Sequence, residues 1–117
     1  MAYVPAVEPE DLERLLVERV NAGDVEALVA LYEPHAAMAV QPRRVAVGSE
    51  AIRQVFKDFL ASGAQLTLGA QQPSLRVGDL ALGSTRLLDG GVTAEVARRQ
   101  PDGSWRWVID HWNVLEG

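Results

Sequence analysis

A strand-like stretch crowded with apolar and aromatic residues has a carboxylate in its middle. In "RWVIDHWNVL", residues 106–115, Asp110 stands among Val108, Ile109, Trp112 and Val114. Desolvation disfavours the charged form of such an acid and moves its pKa up toward neutrality. A carboxyl group tuned in this way suits general acid/base chemistry. The opposing expectation is an ion pair with Arg53 or Arg86, which would lower the pKa and make Asp110 part of the scaffold. Glu95, in "TAEVA", lies on the preceding strand-like segment. There it either shares a proton with Asp110 across neighbouring strands or is an exposed acid on the rim. His35, in "YEPHAAM", titrates near neutrality and is the third acid/base candidate, with a structural role in the turn as its alternative. Leu16, Tyr32, Met38, Val40, Phe56, Phe59, Val108 and Trp112 are candidates to line an apolar pocket, or simply to be core.

Several other chemistries are excluded. The chain has no cysteine, so disulfides, thiolate metal sites and cysteine nucleophiles are absent. Two histidines without supporting spacing make no zinc site, and neither a metal nor an organic cofactor is implied. A net charge of -5 opposes nucleic-acid binding, which requires a basic face. No apolar run approaches the ~18 residues of a membrane-spanning helix. The opening "MAYVPAVEPED" has no positive region followed by an apolar run. The expectation is a cytoplasmic protein with no membrane contact.

The elements that must position these groups fall into two halves of one domain, residues 1–117. Leu12, Leu15, Leu16 and Val20 recur on one helical face. "NAGD" then ends that helix and starts another, with Gly23 as a left-handed cap and Asp24 as N-cap. The second helix carries Val25, Leu28, Val29 and Tyr32 and stops before Pro34; "AAMAV" reads as a short strand. A third helix with Ser49 as N-cap presents Ile52, Val55, Phe56, Phe59 and Leu60. Turn signals then recur at "VGD", "LDGG" and "QPDGS", dividing strands at roughly 65–77, 80–88, 92–100 and 104–115. The pattern predicts an α+β domain with an antiparallel meander.

The stretch "VNAGDVEALVALYEPHAAM…VGSEAIRQVF" and the closing "GSWRWVIDHWN" resemble the nuclear transport factor 2-like superfamily. The likeness is to its ketosteroid isomerase and SnoaL-like polyketide cyclase relatives. It implies a cone-shaped curved antiparallel sheet with N-terminal helices closing the concave face over a cavity. It implies that Val108, Asp110 and Trp112 face that cavity, and that Trp105, Trp107 and Ile109 form an outer row covered in a homodimer. His111 shares that outer row. Laid on the isomerase pattern, Leu16 takes the place of the tyrosine and Val40 that of the base. Glu95 alone has an acidic counterpart, so ketosteroid isomerase activity is not expected. The cyclase-like relatives place an aspartate acid/base near Asp110. The expected function is binding of a small, largely apolar organic molecule, with any acid/base chemistry centred on Asp110. The alternative is a non-catalytic dimeric binding or association module.

Overall fold

The computed structural model describes residues 3–41 and 43–115. Helix α1 (Asp11–Asn21) buries Leu12, Leu15, Leu16 and Val20, as their spacing requires. Gly23 turns the chain at φ 70°, and the Asp24 carboxylate caps α2 (Val25–Val29) by accepting from the Ala27 amide at 3.1 Å. Helix α2 is shorter than expected. Tyr32 is not its last apolar position but the first residue of strand β1 (Tyr32–Gln41). Pro34 prevents the helix from continuing, and the residues before a proline favour extended backbone. "AAMAV" is therefore the second half of a longer strand.

Strand β2 (Arg44–Val47), not anticipated, returns antiparallel on β1 and leads to α3 (Ser49–Ala61), which buries Ile52, Val55 and Phe56. Ser49 is the first residue of α3 rather than its cap. Gly48 holds the cap position at φ 90° and offers no side chain to it.

The second half forms β3 (Ala70–Gln71), β4 (Leu75–Val77), β5 (Leu80–Gly83), β6 (Thr85–Arg86), β7 (Ala94–Arg99) and β8 (Trp105–His111). The expected strand 65–77 is thus reduced to two short pieces. Pro73 interrupts the ladder. Upstream, the Asn21 side chain satisfies both backbone groups of Leu66, each at 2.8 Å, and ties that segment to α1 instead of a strand. The segment 80–88 also divides, β6 pairing with β3 in a separate two-stranded ladder.

The main sheet has the order β2-β1-β8-β7-β5-β4. It is mixed rather than wholly antiparallel, because β1 lies parallel to β8. Parallel neighbours need a long crossover, and the chain between β1 and β8 supplies it.

A bulge in β8 decides which side chains face inward. Val96 pairs with Ile109 but Ala97 pairs with Trp107, leaving Val108 as an extra residue. The alternation of faces shifts by one at such a bulge. Before it, Trp105 and Trp107 point into the core, Trp107 only 3% exposed; after it, Asp110 does. Ile109 is 51% exposed on the outer face. The expected rows are therefore corrected: Val108 leaves the inward row, and Trp105 and Trp107 leave the outer one. Both alternating rows of this stretch are largely apolar because the two faces exchange at Val108.

Phe56 joins α3 to the sheet, its ring 5.9 Å from Tyr32 and 5.8 Å from Trp112. Phe56→Ala is expected to cost about 3–5 kcal/mol, measurable by urea unfolding. Among the described residues no helix is long and apolar enough to cross a membrane.

Candidate functional site

Asp110 sits in a register row that crosses four strands, Met38–Asp110–Glu95–Gly83. Odd-numbered residues of β7 face inward, so Glu95 lies beside Asp110 on the concave side, not on the rim. Gly83 leaves the room this requires: a Cβ there would lie 3.3 Å from Glu95 Oε1. Helix α1 adds Glu13, on the same face as Leu16, Val17 and Val20. That acid was missed in reading the sequence. Its signal was present, since positions 13, 16, 17 and 20 share one helical face.

Two donors hold Asp110. The Tyr32 hydroxyl donates to Oδ2 at 2.5 Å and the Trp112 indole N–H donates to the same oxygen at 3.2 Å. Oδ1 is left without a hydrogen bond among the described residues. The donors are fixed by packing. Tyr32 lies 5.2 Å from the Trp107 ring, and Trp112 lies 5.2 Å from Phe59. Neither arginine proposed as a partner reaches Asp110. Arg53 is spent on Glu26 and Glu50 at the surface, and Arg86 is exposed on β6. The ion-paired alternative is therefore not realised.

Two adjoining chambers open beside these acids. The larger, about 110 Å³, is apolar and is lined by Leu16, Phe56, Phe59 and Trp112 together with Glu13 and Asp110. The smaller, about 30 Å³, is the more polar of the two, with Glu13, Glu95, Gln71, Ser74 and Ser84 in its wall beside Ala81, Ala97 and Trp107. Glu13 and Thr85 belong to both walls. Of the remaining candidates, Met38 and Val40 are buried in β1 and do not line the larger chamber. Val108 is half-buried at the bulge and lines neither chamber. His35 is exposed on β1 and takes no part in the site. The alternation at that point of β1 carries Ala36 and Met38 inward and leaves His35 in solvent.

Burial sets the protonation of the cluster. It raises Asp110 to about 6, against the opposing hydrogen bonds of Tyr32 and Trp112. Glu13 rises to about 8, through burial and then the Asp110 charge. Glu95 rises to about 9, through burial and then the charges of Asp110 and Glu13. Burial, and then Asp110, push the Tyr32 hydroxyl well above the usual tyrosine range. At neutral pH the cavity thus holds one ionised base and two protonated acids able to donate hydrogen bonds. Among the described residues no group of three or more His, Cys, Asp or Glu side chains is arranged to hold a metal ion.

The architecture has known counterparts. A candidate calcium/calmodulin-dependent protein kinase type II association domain from Thiobacillus denitrificans superposes with TM-score 0.75 at 18% identity, over 95% of this chain and 96% of that one. A nuclear transport factor 2-like protein with a cystatin-like fold from Novosphingobium aromaticivorans gives 0.69 at 25% identity, over 86% and 75%. The fold is nuclear transport factor 2-like. A candidate dehydratase of the nuclear transport factor 2-like family from Streptomyces avermitilis gives 0.70 at 19% identity, over 87% and 90%. No protein-family model matches the sequence, and neither does any curated protein. A shared nuclear transport factor 2-like fold leaves the activity to be argued from the cavity itself.

Proposed function

We propose that the cavity binds a small, largely apolar organic molecule and that Asp110 performs cofactor-free acid/base chemistry on it, of cyclase or isomerase type. The observation that carries this reading is the bonding of Asp110: a buried carboxylate with no basic partner, held through Oδ2, with Oδ1 left for a substrate proton. In the reaction, Oδ1 takes a proton from carbon next to a carbonyl and the electron pair moves onto the carbonyl oxygen. Whichever of Glu13 and Glu95 holds its proton donates a hydrogen bond to that oxygen as it gains charge. The proton then returns to the far carbon of an enolate conjugated with a second double bond, giving isomerisation, or the enolate carbon attacks a second carbonyl and the alkoxide so formed takes the proton back from Asp110, giving ring closure. The roles of base and tyrosine are not those of a ketosteroid isomerase, whose positions here hold Val40 and Leu16.

Nitrobenzisoxazole, a flat carbon acid whose ring opens when a base removes its proton, tests the base without knowledge of the natural substrate. Saturable ring opening is expected, with a rate that rises through about pH 6 as Asp110 ionises. A rate no greater than that of free acetate at equal concentration would sink the reading.

The partner proposed for the outer face is a second copy of the chain. One register row, Val47–Ala37–Ile109–Val96–Leu82–Leu75, crosses all six strands of the main sheet with apolar side chains only. Val47, Ile109, Leu82 and Leu75 are exposed. A stripe of this kind can pair with itself about a two-fold axis. The same stripe supports a second reading, a dimeric association module without chemistry; the Thiobacillus denitrificans protein is itself named as an association domain. Replacing both Ile109 and Leu82 with Glu is expected to yield folded monomers in sedimentation, whereas Trp107→Glu is expected to unfold the protein. A wild-type chain that is monomeric at micromolar concentration rules out the dimer.

A further inference from the structure

Glu13, Glu95 and Asp110 bring acid from α1, β7 and β8 into one buried place, and nothing among the described residues balances them. No arginine, lysine or histidine lines either chamber. Arg76, on the neighbouring β4, is committed to Glu8 and Glu10 at the surface. Buried acids without a basic partner avoid the full desolvation cost of a charge by keeping their protons, until a cation supplies the missing partner. A second observation points to an occupant. Glu95 is 5% exposed, and its Oε2 is buried without a hydrogen-bond partner among the described residues, on the wall of the smaller chamber. Beside it, the larger chamber is walled by Phe56, Phe59 and Trp112, aromatic rings whose faces attract cations.

We propose that the two chambers form one site for a small hydrophobic amine, with its ring against Phe56, Phe59 and Trp112 and its ammonium group at Glu13 and Glu95. This rests on the reading that the cavity binds a small organic molecule, and it names the class. The larger chamber, at about 110 Å³, admits a ligand about the size of one ring; engineered apolar cavities of about 150 Å³ take up benzene. The ammonium supplies the donor that Glu95 Oε2 lacks and the positive charge that the acid group lacks. Asp110 Oδ1 stays free, and a positive charge next to a carbonyl makes the neighbouring C–H more acidic, which suits a carboxylate base.

The proposal implies a coupling to protons. Glu13 and Glu95 hold their protons at neutral pH, and a bound cation favours their ionised forms, so binding releases a proton and tightens as pH rises from about 6 toward 8. The titratable groups beside Glu13 are Glu10 at the head of α1, which shares the wall of the smaller chamber and is paired with Arg76, together with Tyr32 from β1, Glu95 from β7 and Asp110 from β8. Helix α3 contributes only Phe56 and Phe59, and β6 only Thr85.

Calorimetric titration of the full chain with benzylamine and with benzyl alcohol, its near-isosteric neutral counterpart, provides the test. Near pH 8 benzylamine is expected to bind at least about tenfold more tightly, a difference of roughly 1.4 kcal/mol. Near pH 7 its heat should vary with the ionisation enthalpy of the buffer. In Glu13→Gln the preference should vanish while binding of the alcohol persists. If that variant fails to fold by circular dichroism, Glu95→Gln is used, with the same loss expected. Equal affinity for the two probes in the wild type, or a preference retained in a folded variant, overturns the amine proposal and leaves the cavity reading intact. Binding of neither probe overturns both.

Discussion

Asp110→Asn is expected to slow ring opening of nitrobenzisoxazole by about 10²–10⁴-fold, the usual worth of a positioned general base, and to leave the protein folded. Both halves follow from the bonding. The asparagine keeps the planar shape, and its carbonyl oxygen can accept from the Tyr32 hydroxyl and the Trp112 indole as Oδ2 does. It cannot take a proton from carbon. No arginine is left stranded by the change, because none contacts Asp110. Had Arg53 or Arg86 been its partner, the substitution would cost about 3–5 kcal/mol of stability. Thermal unfolding and the rate measurement are therefore read together. A variant that is strongly destabilised yet retains most of the rate would make Asp110 part of the scaffold and move the base elsewhere.

Helices and turns were legible because each is encoded locally. The Leu12–Leu16–Val20 stripe, the Gly23–Asp24 boundary and the glycine turns all act within a few residues of themselves, and the structure follows them. Facing was legible only in part, because it depends on register, which is set between strands. The single extra residue at Val108 moves Trp105 and Trp107 from the outer face to the core without altering any local pattern. Tyr32 was misread for a related reason. It continues the helical spacing of Val25, Leu28 and Val29, but its pairing with Trp107 makes it a strand residue and a donor to Asp110. Asp110 itself was legible, since an acid in an apolar strand is conspicuous. Glu13 was not, because an acid in the first turn of a helix is ordinary and favoured by the helix dipole. Only the tertiary fold, which turns that face onto β8, makes it a third acid of the site.

That third acid gives the stability of the protein an unusual dependence on pH. Asp110, Glu13 and Glu95 have folded-state values of about 6, 8 and 9, against 3.8, 4.5 and 4.5 for the free groups. Between those limits the folded chain binds more protons than the unfolded chain, so stability falls as pH rises from about 4 to about 9. Acids in favourable ion pairs produce the opposite slope. The three shifts have the same sign, so their contributions to the loss add across the window. Glu95→Gln removes the group with the highest value and leaves a neutral side chain of the same shape. Near pH 5, where Glu95 is protonated in the folded chain, the variant should differ little from the wild type. Near pH 8 it should be more stable by at least about 1 kcal/mol, because an unfolded wild-type chain gains by ionising this acid and the variant cannot. Urea unfolding at the two pH values measures the difference. A wild-type stability that rises over this range, or a variant shifted equally at both pH values, would show that the acids of the cavity are ionised in the folded state and that a balancing charge lies within the protein after all.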